Sequence, residues 1–127
     1  MKISHIALYT ADLERSRRFY ESYFGGISNN GYYNPKTQLR TYFLCFEDGA
    51  RLELMHRPTC IPVENGEFVY GFTHLAFSTG SRSAVDALTA QLASDGYTVA
   101  GQPRITGDGY YESVVLDPDG NRIEITE

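Results

Sequence analysis

The sequence predicts an α+β fold in which a module of one strand, one helix and three strands (βαβββ) occurs twice. Residues 3–8 (Ile-Ser-His-Ile-Ala-Leu) recur as residues 72–77 (Phe-Thr-His-Leu-Ala-Phe) at an offset of 69. Residues 48–54 recur as residues 119–125 at an offset of 71, where Arg-Leu-Glu-Leu is matched by Arg-Ile-Glu-Ile. Two segments that recur at nearly one spacing indicate an internal duplication.

We expect the 127 residues to form a single domain, 1–127, made of the two repeats. The first module covers residues 1–56, a linker covers 57–71, and the second module covers 72–127. Each half is too short to bury a core well by itself. A chain of this whole length should bury about two-thirds of the surface that its unfolded form exposes.

The first module begins with a strand at 3–9, where apolar and polar residues alternate. Asp12 is placed to cap the following helix, and Gly25 with Gly26 ends it. The apolar stripe of this helix is Leu13, Phe19, Tyr20, Tyr23 and Phe24. Three further strands complete the module, at 26–33, 39–46 and 50–56.

The second module repeats this order after a strand at 73–79. Ser83 is predicted to cap its helix, and Asp86 three residues later completes a pair similar to a capping box. Gly96 ends this helix, whose apolar stripe is Val85, Leu88 and Leu92. Three further strands complete the module, at 97–102, 110–117 and 121–126.

Composition and charge exclude several classes of function. A net charge of −5 with 11 basic residues argues against a nucleic-acid partner. The longest apolar run is about five residues, where a membrane span needs about 20. No apolar leader pattern is visible near the start, so we expect a cytoplasmic protein without a membrane partner.

Cys45, in a strand predicted to be buried, and Cys60 are then expected to be free thiols.

Four of the predicted strands each carry one His or Glu among apolar neighbours. These residues are His5, Glu53, His74 and Glu124. Because side chains alternate across a strand, all four lie opposite a purely apolar face that is suited to packing on a helix. The sheet is therefore expected to enclose a polar cavity, with the helices outside.

Two imidazoles and two carboxylates suit a divalent metal ion, because two carboxylates offset its two positive charges. Mixed nitrogen and oxygen ligands favour Zn, Ni, Co, Mn or Fe over calcium, and an octahedral ion keeps two positions for water or substrate oxygens. Taken singly, a strand His is more often a core or surface residue, and a Glu that alternates with Leu is more often solvated. The same residue type at the same place in both repeats favours the metal site, although shared ancestry of the halves would also preserve it.

The chain resembles the vicinal oxygen chelate superfamily over residues 2–127. This superfamily includes glyoxalase I (lactoylglutathione lyase), extradiol dioxygenases, methylmalonyl-CoA epimerase, fosfomycin resistance enzymes and bleomycin-binding proteins. The segments that carry the resemblance are 5–8, 12–16, 19–20, 51–54, 73–77 and 117–124. The resemblance implies that the paired βαβββ modules form an incompletely closed, eight-stranded, barrel-like sheet around a metal, with helices outside.

The set of two His and two Glu is similar to that of bacterial glyoxalase I, whereas dioxygenases and fosfomycin enzymes resemble each other in using two His and one Glu. The resemblance implies metal ligands at His5, Glu53, His74 and Glu124, with Glu124 as the carboxylate that shuttles the proton. We hypothesise that Glu53 exchanges with it in this role. The family has an Arg four residues after the first His, where it contacts the glutathione carboxylate. Tyr9 stands at that position, and this departure leaves the use of glutathione open without affecting the metal chemistry.

The expected function is metal-assisted proton transfer alpha to a carbonyl, through an enediolate, on a small dicarbonyl-derived substrate. Two alternatives stay open: a small-molecule or drug-binding protein similar to bleomycin resistance proteins, and an Fe-dependent enzyme similar to extradiol dioxygenases. In small relatives one site is often assembled from two chains, so a homodimer with shared sites is expected. Aromatic residues more often fill cores, but four are candidate substrate contacts: Tyr9, Tyr42, Tyr110 and Tyr111.

Overall fold

The computed structural model describes residues 1–62 and 70–127. The chain divides into two compact units, Met1–Val63 and Glu64–Glu127. Residues 63–69, which belong to the predicted linker, lie outside the described residues.

The first unit contains, within its described residues, one helix and a sheet of five strands. In chain order these are β1 (Ile6–Tyr9), α1 (Leu13–Phe24), β2 (Ile27–Ser28), β3 (Tyr32–Asn34), β4 (Leu39–Cys45) and β5 (Arg51–His56). The sheet order is β1-β5-β4-β2, and β3 also pairs with β4. Strand β1 runs parallel to β5, and the other pairs are antiparallel.

The second unit contains, among the residues described, one helix and a sheet of four strands. In chain order these are β6 (Leu75–Ser78), α2 (Arg82–Ser94), β7 (Val99–Ile105), β8 (Tyr111–Leu116) and β9 (Arg122–Thr126). The sheet order is β6-β9-β8-β7, with β6 parallel to β9 and the other pairs antiparallel. The α+β class and the duplicated order of elements are thereby confirmed.

The predicted strand at 26–33 is divided into two short strands, β2 and β3, which gives the first unit one strand more than predicted. Asn29 stabilises the break, because its Oδ1 accepts hydrogen bonds from the backbone N–H groups of Gly31 and Phe43, both at 3.1 Å. Gly31 has a φ of 78°, a left-handed conformation that favours glycine. A Cβ at this position would also meet the ring of Tyr42 at 2.8 Å.

Helix α1 begins and ends where the sequence predicts. The Oδ1 of Asp12 accepts the backbone N–H of Arg15 at 3.0 Å, and Gly25 ends the helix with a left-handed φ of 68°. Each large apolar side chain that is fully buried contributes about 1.5–3 kcal/mol to stability. The buried residues of α1 are Leu13, Ser16, Phe19 and Tyr20, and those of the sheet strands it contacts, β4 and β5, include Leu44, Leu52 and Leu54.

Helix α2 begins earlier than predicted, because Ser81 rather than Ser83 is its N-cap. Ser81 has extended backbone, with a φ of −163°, directly before the first helical residue, and this junction is where a cap must lie. Its Oγ accepts the backbone N–H of Ala84 at 3.3 Å. The predicted capping pair is therefore wrong: the carboxylate of Asp86 instead accepts a hydrogen bond from the Tyr111 hydroxyl at 2.7 Å.

The two cysteines are free thiols, as predicted. Cys45 is exposed, which corrects the expectation that it is buried. It is the last residue of β4, and its neighbour Leu44 occupies the buried face of that strand. Cys60 is half-buried.

Across residues 1–62 and 70–127, neither helix has the length and apolar character that crossing a bilayer requires.

Candidate metal centre

The first unit brings His5 and Glu53 together. Glu53 lies on β5 between Leu52 and Leu54, whose side chains are buried on the opposite face. His5 directly precedes β1, one residue outside the strand in which the sequence analysis placed it. Its Nε2 lies 3.6 Å from Oε2 of Glu53, and the two side chains are 36% and 16% exposed respectively.

The second unit repeats this arrangement with His74 and Glu124. His74 directly precedes β6, and Glu124 lies on β9 between the buried residues Ile123 and Ile125. The Nε2 of His74 lies 3.4 Å from Oε2 of Glu124, with the side chains 41% and 17% exposed. Each unit therefore contains one imidazole–carboxylate pair, in which a largely buried carboxylate faces a more exposed ring.

A hydroxyl group lies beside the other ring nitrogen of each imidazole. The Oγ of Ser4 is 3.2 Å from Nδ1 of His5, and Oγ1 of Thr73 is 3.2 Å from Nδ1 of His74. When Nδ1 carries the proton and donates it to the hydroxyl oxygen, Nε2 keeps the lone pair that a metal ligand requires. In both units the nitrogen beside the carboxylate is therefore the one suited to bind a metal.

The donor set of each pair, one imidazole nitrogen and one carboxylate, fits a divalent ion such as Zn, Ni, Co, Mn or Fe. A largely buried carboxylate is also stabilised by a positive partner. In the part of the chain that the structure describes, no group of three or more His, Cys, Asp or Glu side chains is arranged to hold a metal. A site with four ligands would therefore need one pair from a first unit and one pair from a second unit.

Glu112 is a polar residue of the same face that the sequence analysis did not identify. The register of β8 on β9 places Val114 opposite Glu124, and Glu112 lies two residues away on the same face. Its carboxyl group lies close enough to that of Glu124 for the two charges to interact, and Nη2 of Arg104 lies 3.6 Å from its Oε1. Burial, followed by the charge of Glu124, raises the pKa of Glu112 above its ordinary value.

The sequence contains one signal for Glu112. Counting back across the tight turn at residues 117–120 places it on the same face as Glu124. Glu112 has no acidic counterpart in the first repeat, however. At the offset of 71, the corresponding residue of the first unit is Thr41.

Two of the four candidate aromatic contacts remain compatible with the predicted site. Tyr9 lies on β1 two residues after Ala7, which pairs with Glu53, so Tyr9 shares the face of that carboxylate. It is 50% exposed. Tyr110 is also exposed and lies in the turn before β8, where its backbone N–H donates to Oγ1 of Thr106 at 3.1 Å.

Tyr42 and Tyr111 point toward the helices instead. The hydroxyl of Tyr42 donates to Oε1 of Glu14 on α1 at 2.7 Å, and that of Tyr111 donates to Oδ1 of Asp86 on α2. The structure does not bring these two rings together with the imidazole–carboxylate pair of their own unit.

Comparisons with known proteins give the family of this fold. The sequence model of the Glyoxalase/Bleomycin resistance protein/Dioxygenase superfamily matches residues 2–125. The uncharacterized protein YqjT of Bacillus subtilis is 32% identical in an alignment 138 positions long. The alignment covers 95% of this chain and 94% of YqjT. A lactoylglutathione lyase of Haemophilus influenzae is 32% identical in an alignment 130 positions long. The alignment covers 100% of this chain and 93% of that enzyme.

Solved structures show the same fold. A glyoxalase I variant from Zea mays superimposes with a TM-score of 0.82 at 22% identity, over 98% of this chain. The chain spans only 44% of the length of the maize protein. A glyoxalase family protein from Enterococcus faecalis superimposes with a TM-score of 0.82 at 21% identity, over 99% of this chain and 97% of its own. With the matched superfamily model and a relative that covers the whole chain, the protein belongs to the glyoxalase/bleomycin resistance protein/dioxygenase superfamily.

Proposed function

We propose that the protein is a glyoxalase I-like metalloenzyme that transfers a proton alpha to a carbonyl group, through an enediolate. The observation that carries this proposal is the duplicated pair, in which an imidazole Nε2 faces a carboxylate Oε2 at 3.6 Å in one unit and 3.4 Å in the other. The same residue types in the same geometry in both units favour a metal role over two solvated pairs. The relationship to a lactoylglutathione lyase supports the same class of reaction.

His5, Glu53, His74 and Glu124 would hold one divalent ion, which we propose to be Zn, Ni, Co, Mn or Fe. When bound, the ion would stabilise the negative charge that develops on two neighbouring substrate oxygens. The two carboxylates balance the charge of the ion, so the site stays close to neutral.

Glu124 is proposed as the base that takes the proton and returns it to the adjacent carbon, with Glu53 able to exchange into this role. Glu112 supports this assignment, because the charges of the two carboxyl groups interact. The corresponding residue of the first unit is Thr41, so at these two equivalent positions the first unit has one carboxyl group and the second has two. This asymmetry favours Glu124 over Glu53 as the principal base.

The substrate is proposed to be a small dicarbonyl-derived compound contacted by Tyr9 and Tyr110. Because Tyr9 replaces the arginine that contacts glutathione in the family, a thiol adduct other than that of glutathione is the better candidate. We further propose that the chain is a single domain of two repeats, acts in the cytoplasm and forms a homodimer. In this dimer a first-unit pair of one protomer would meet a second-unit pair of its partner.

Metal titration and turnover test this proposal. Protein stripped with a chelator is titrated by calorimetry with Ni²⁺, Zn²⁺ and Mn²⁺, and each loaded form is assayed with methylglyoxal–thiol adducts. We expect binding at micromolar concentration or tighter, and a loss of about 100-fold or more in turnover for Glu124→Gln. The control is Glu47→Gln, which makes the same charge change at an exposed residue of a turn.

Each other outcome contradicts a specific part of the proposal. Failure to take up any of the three ions would exclude the metalloenzyme. Metal uptake without turnover of any adduct would favour a ligand-binding protein. Oxygen consumption by the Fe²⁺-loaded protein with a catechol would favour a dioxygenase.

A further inference from the structure

A cleft lies on the helix-facing side of the sheet in the first unit. Its volume is about 520 Å³, which is within the range of pockets that hold small organic ligands. We call it the outer cleft. The lining residues that matter for its chemistry are Asp12, Glu14, Tyr33, Arg40, Tyr42 and His56.

Strand register separates the outer cleft from the imidazole–carboxylate pair. Across β4 and β5, Arg40 pairs with His56, and Phe43 pairs with Glu53. Paired residues share a face of the sheet, whereas residues an odd number of positions apart take opposite faces. Arg40 and His56 therefore point away from the face that carries Glu53. The ring of Phe43 contacts His5 on that other face, with centroids 5.2 Å apart.

The acidic groups of the outer cleft are already satisfied within the protein. Oδ1 of Asp12 accepts the backbone N–H of Arg15 at the start of α1, where the helix dipole favours a negative charge. Glu14 accepts the hydroxyl of Tyr42 at 2.7 Å and forms an ion pair with Arg17 at 2.9 Å. The Tyr42 hydrogen bond is the largest cause that lowers the pKa of Glu14, so this carboxylate stays ionised and paired.

The basic groups of the outer cleft have hydrogen-bonding capacity that no described residue uses. The guanidinium of Arg40 lies over the ring of Tyr33, 5.3 Å from its centroid, and makes no ion pair with any described residue. Nδ1 of His56 donates to the backbone carbonyl of Thr10 at 2.9 Å, so in the neutral ring Nε2 is the remaining acceptor. Because Arg40 and His56 are directly paired across the strands, their Cβ atoms are about 5 Å apart.

We propose that the outer cleft binds a small α-hydroxycarboxylate. The planar guanidinium of Arg40 binds the carboxylate through two parallel hydrogen bonds, for which its geometry is suited. The adjacent hydroxyl of the ligand donates to Nε2 of His56. The tyrosine rings, of which Tyr33 is 51% exposed, offer apolar surface to the rest of the ligand. This site is independent of the proposed metal centre, since it uses none of its residues.

Mandelate is a suitable probe, because it combines an α-hydroxycarboxylate with an aromatic ring. Phenylacetate lacks its hydroxyl, and mandelamide lacks its charge. Binding is measured by calorimetry and by ¹H–¹⁵N NMR on Zn²⁺-loaded and on metal-stripped protein, so that a hydroxy acid held by the metal ion is recognised. We expect a dissociation constant below about 1 mM for mandelate in both forms. The shifted amides are expected around Arg40, His56 and Tyr33.

Two variants test the two contacts. Arg40→Gln is expected to weaken mandelate binding about tenfold or more. Its control, Arg18→Gln, removes the same charge from an exposed residue of α1 and should leave the affinity unchanged. His56→Phe is expected to reduce the affinity for mandelate to that for phenylacetate, while the affinity for phenylacetate stays the same. NMR spectra of each variant establish that it is folded.

Three results would overturn the outer-cleft proposal. One is the absence of mandelate binding up to about 10 mM. Another is an Arg40→Gln variant that is folded and binds mandelate as tightly as the original protein. The third is a set of shifted amides centred on His5 and Glu53, which would assign the ligand to the other face. None of these results bears on metal uptake, so the proposed function is tested separately.

Discussion

His5 and His74 each lie one residue before a strand and directly after a hydroxyl-bearing residue. Each His therefore lies just outside its strand, but its ring stays on the face of the carboxylate. The hydroxyl group of the preceding residue lies beside Nδ1 of the ring. The pairing of each His with its Glu was predictable, because alternation along a strand is fixed by backbone geometry. Tyr42 lies on the helix-facing side of β4, which it shares with buried Leu44.

Glu112→Thr gives the second unit the residue that the first unit has at Thr41. We expect it to weaken the binding of a divalent metal about tenfold, because it removes a carboxyl group whose charge acts on Glu124. The affinity is measured by competition with a chromophoric chelator. Glu47→Thr makes the same replacement at an exposed turn residue and should bind metal unchanged. Equal affinities for the two variants would show that Glu112 has no part in the site.

At the scale of elements, both helices and their order relative to the strands were predictable, because apolar stripes and glycine stops are local signals. The boundaries that depend on backbone conformation were not. Ser81 and Ser83 are equally good cap residues in the sequence, and the extended backbone at Ser81 decides between them. The break at Asn29 likewise depends on a long-range hydrogen bond to the N–H of Phe43, which local sequence does not reveal.

Ser81→Ala is expected to lower the free energy of unfolding by about 1 kcal/mol, because the N–H of Ala84 loses its acceptor. Ser83→Ala makes the same chemical change two residues later, inside the helix, where alanine is favoured. We expect that variant to be as stable as the original protein or slightly more so. Urea unfolding followed by circular dichroism measures both. A larger loss for Ser83→Ala would mean that Ser83 rather than Ser81 is the N-cap in solution.

At the scale of the whole molecule, the duplication divides the candidate ligands equally. Each unit contains one candidate imidazole ligand and one candidate carboxylate ligand, and no group of three or more His, Cys, Asp or Glu side chains that could hold a metal occurs among residues 1–62 and 70–127. The sequence predicts this division because the repeats match residue for residue at these four positions. It does not predict which pairs meet, because a pair from each unit can combine within one chain or between two chains. That choice depends on the contacts between units and on symmetry rather than on local pattern.

Complementation between two inactive variants tests the shared site. One variant carries His5→Ala with Glu53→Ala, and the other carries His74→Ala with Glu124→Ala. If pairs meet across a twofold dimer, a mixed dimer has one site with all four ligands and one with none, so it should bind about half as much metal as the original dimer. The mixed dimer is isolated by tandem purification on two different tags and titrated by calorimetry, with each variant alone as the control. Folded mixed dimers that bind no more metal than the single variants would mean that the pairs meet within one chain. The site would then be complete without a partner.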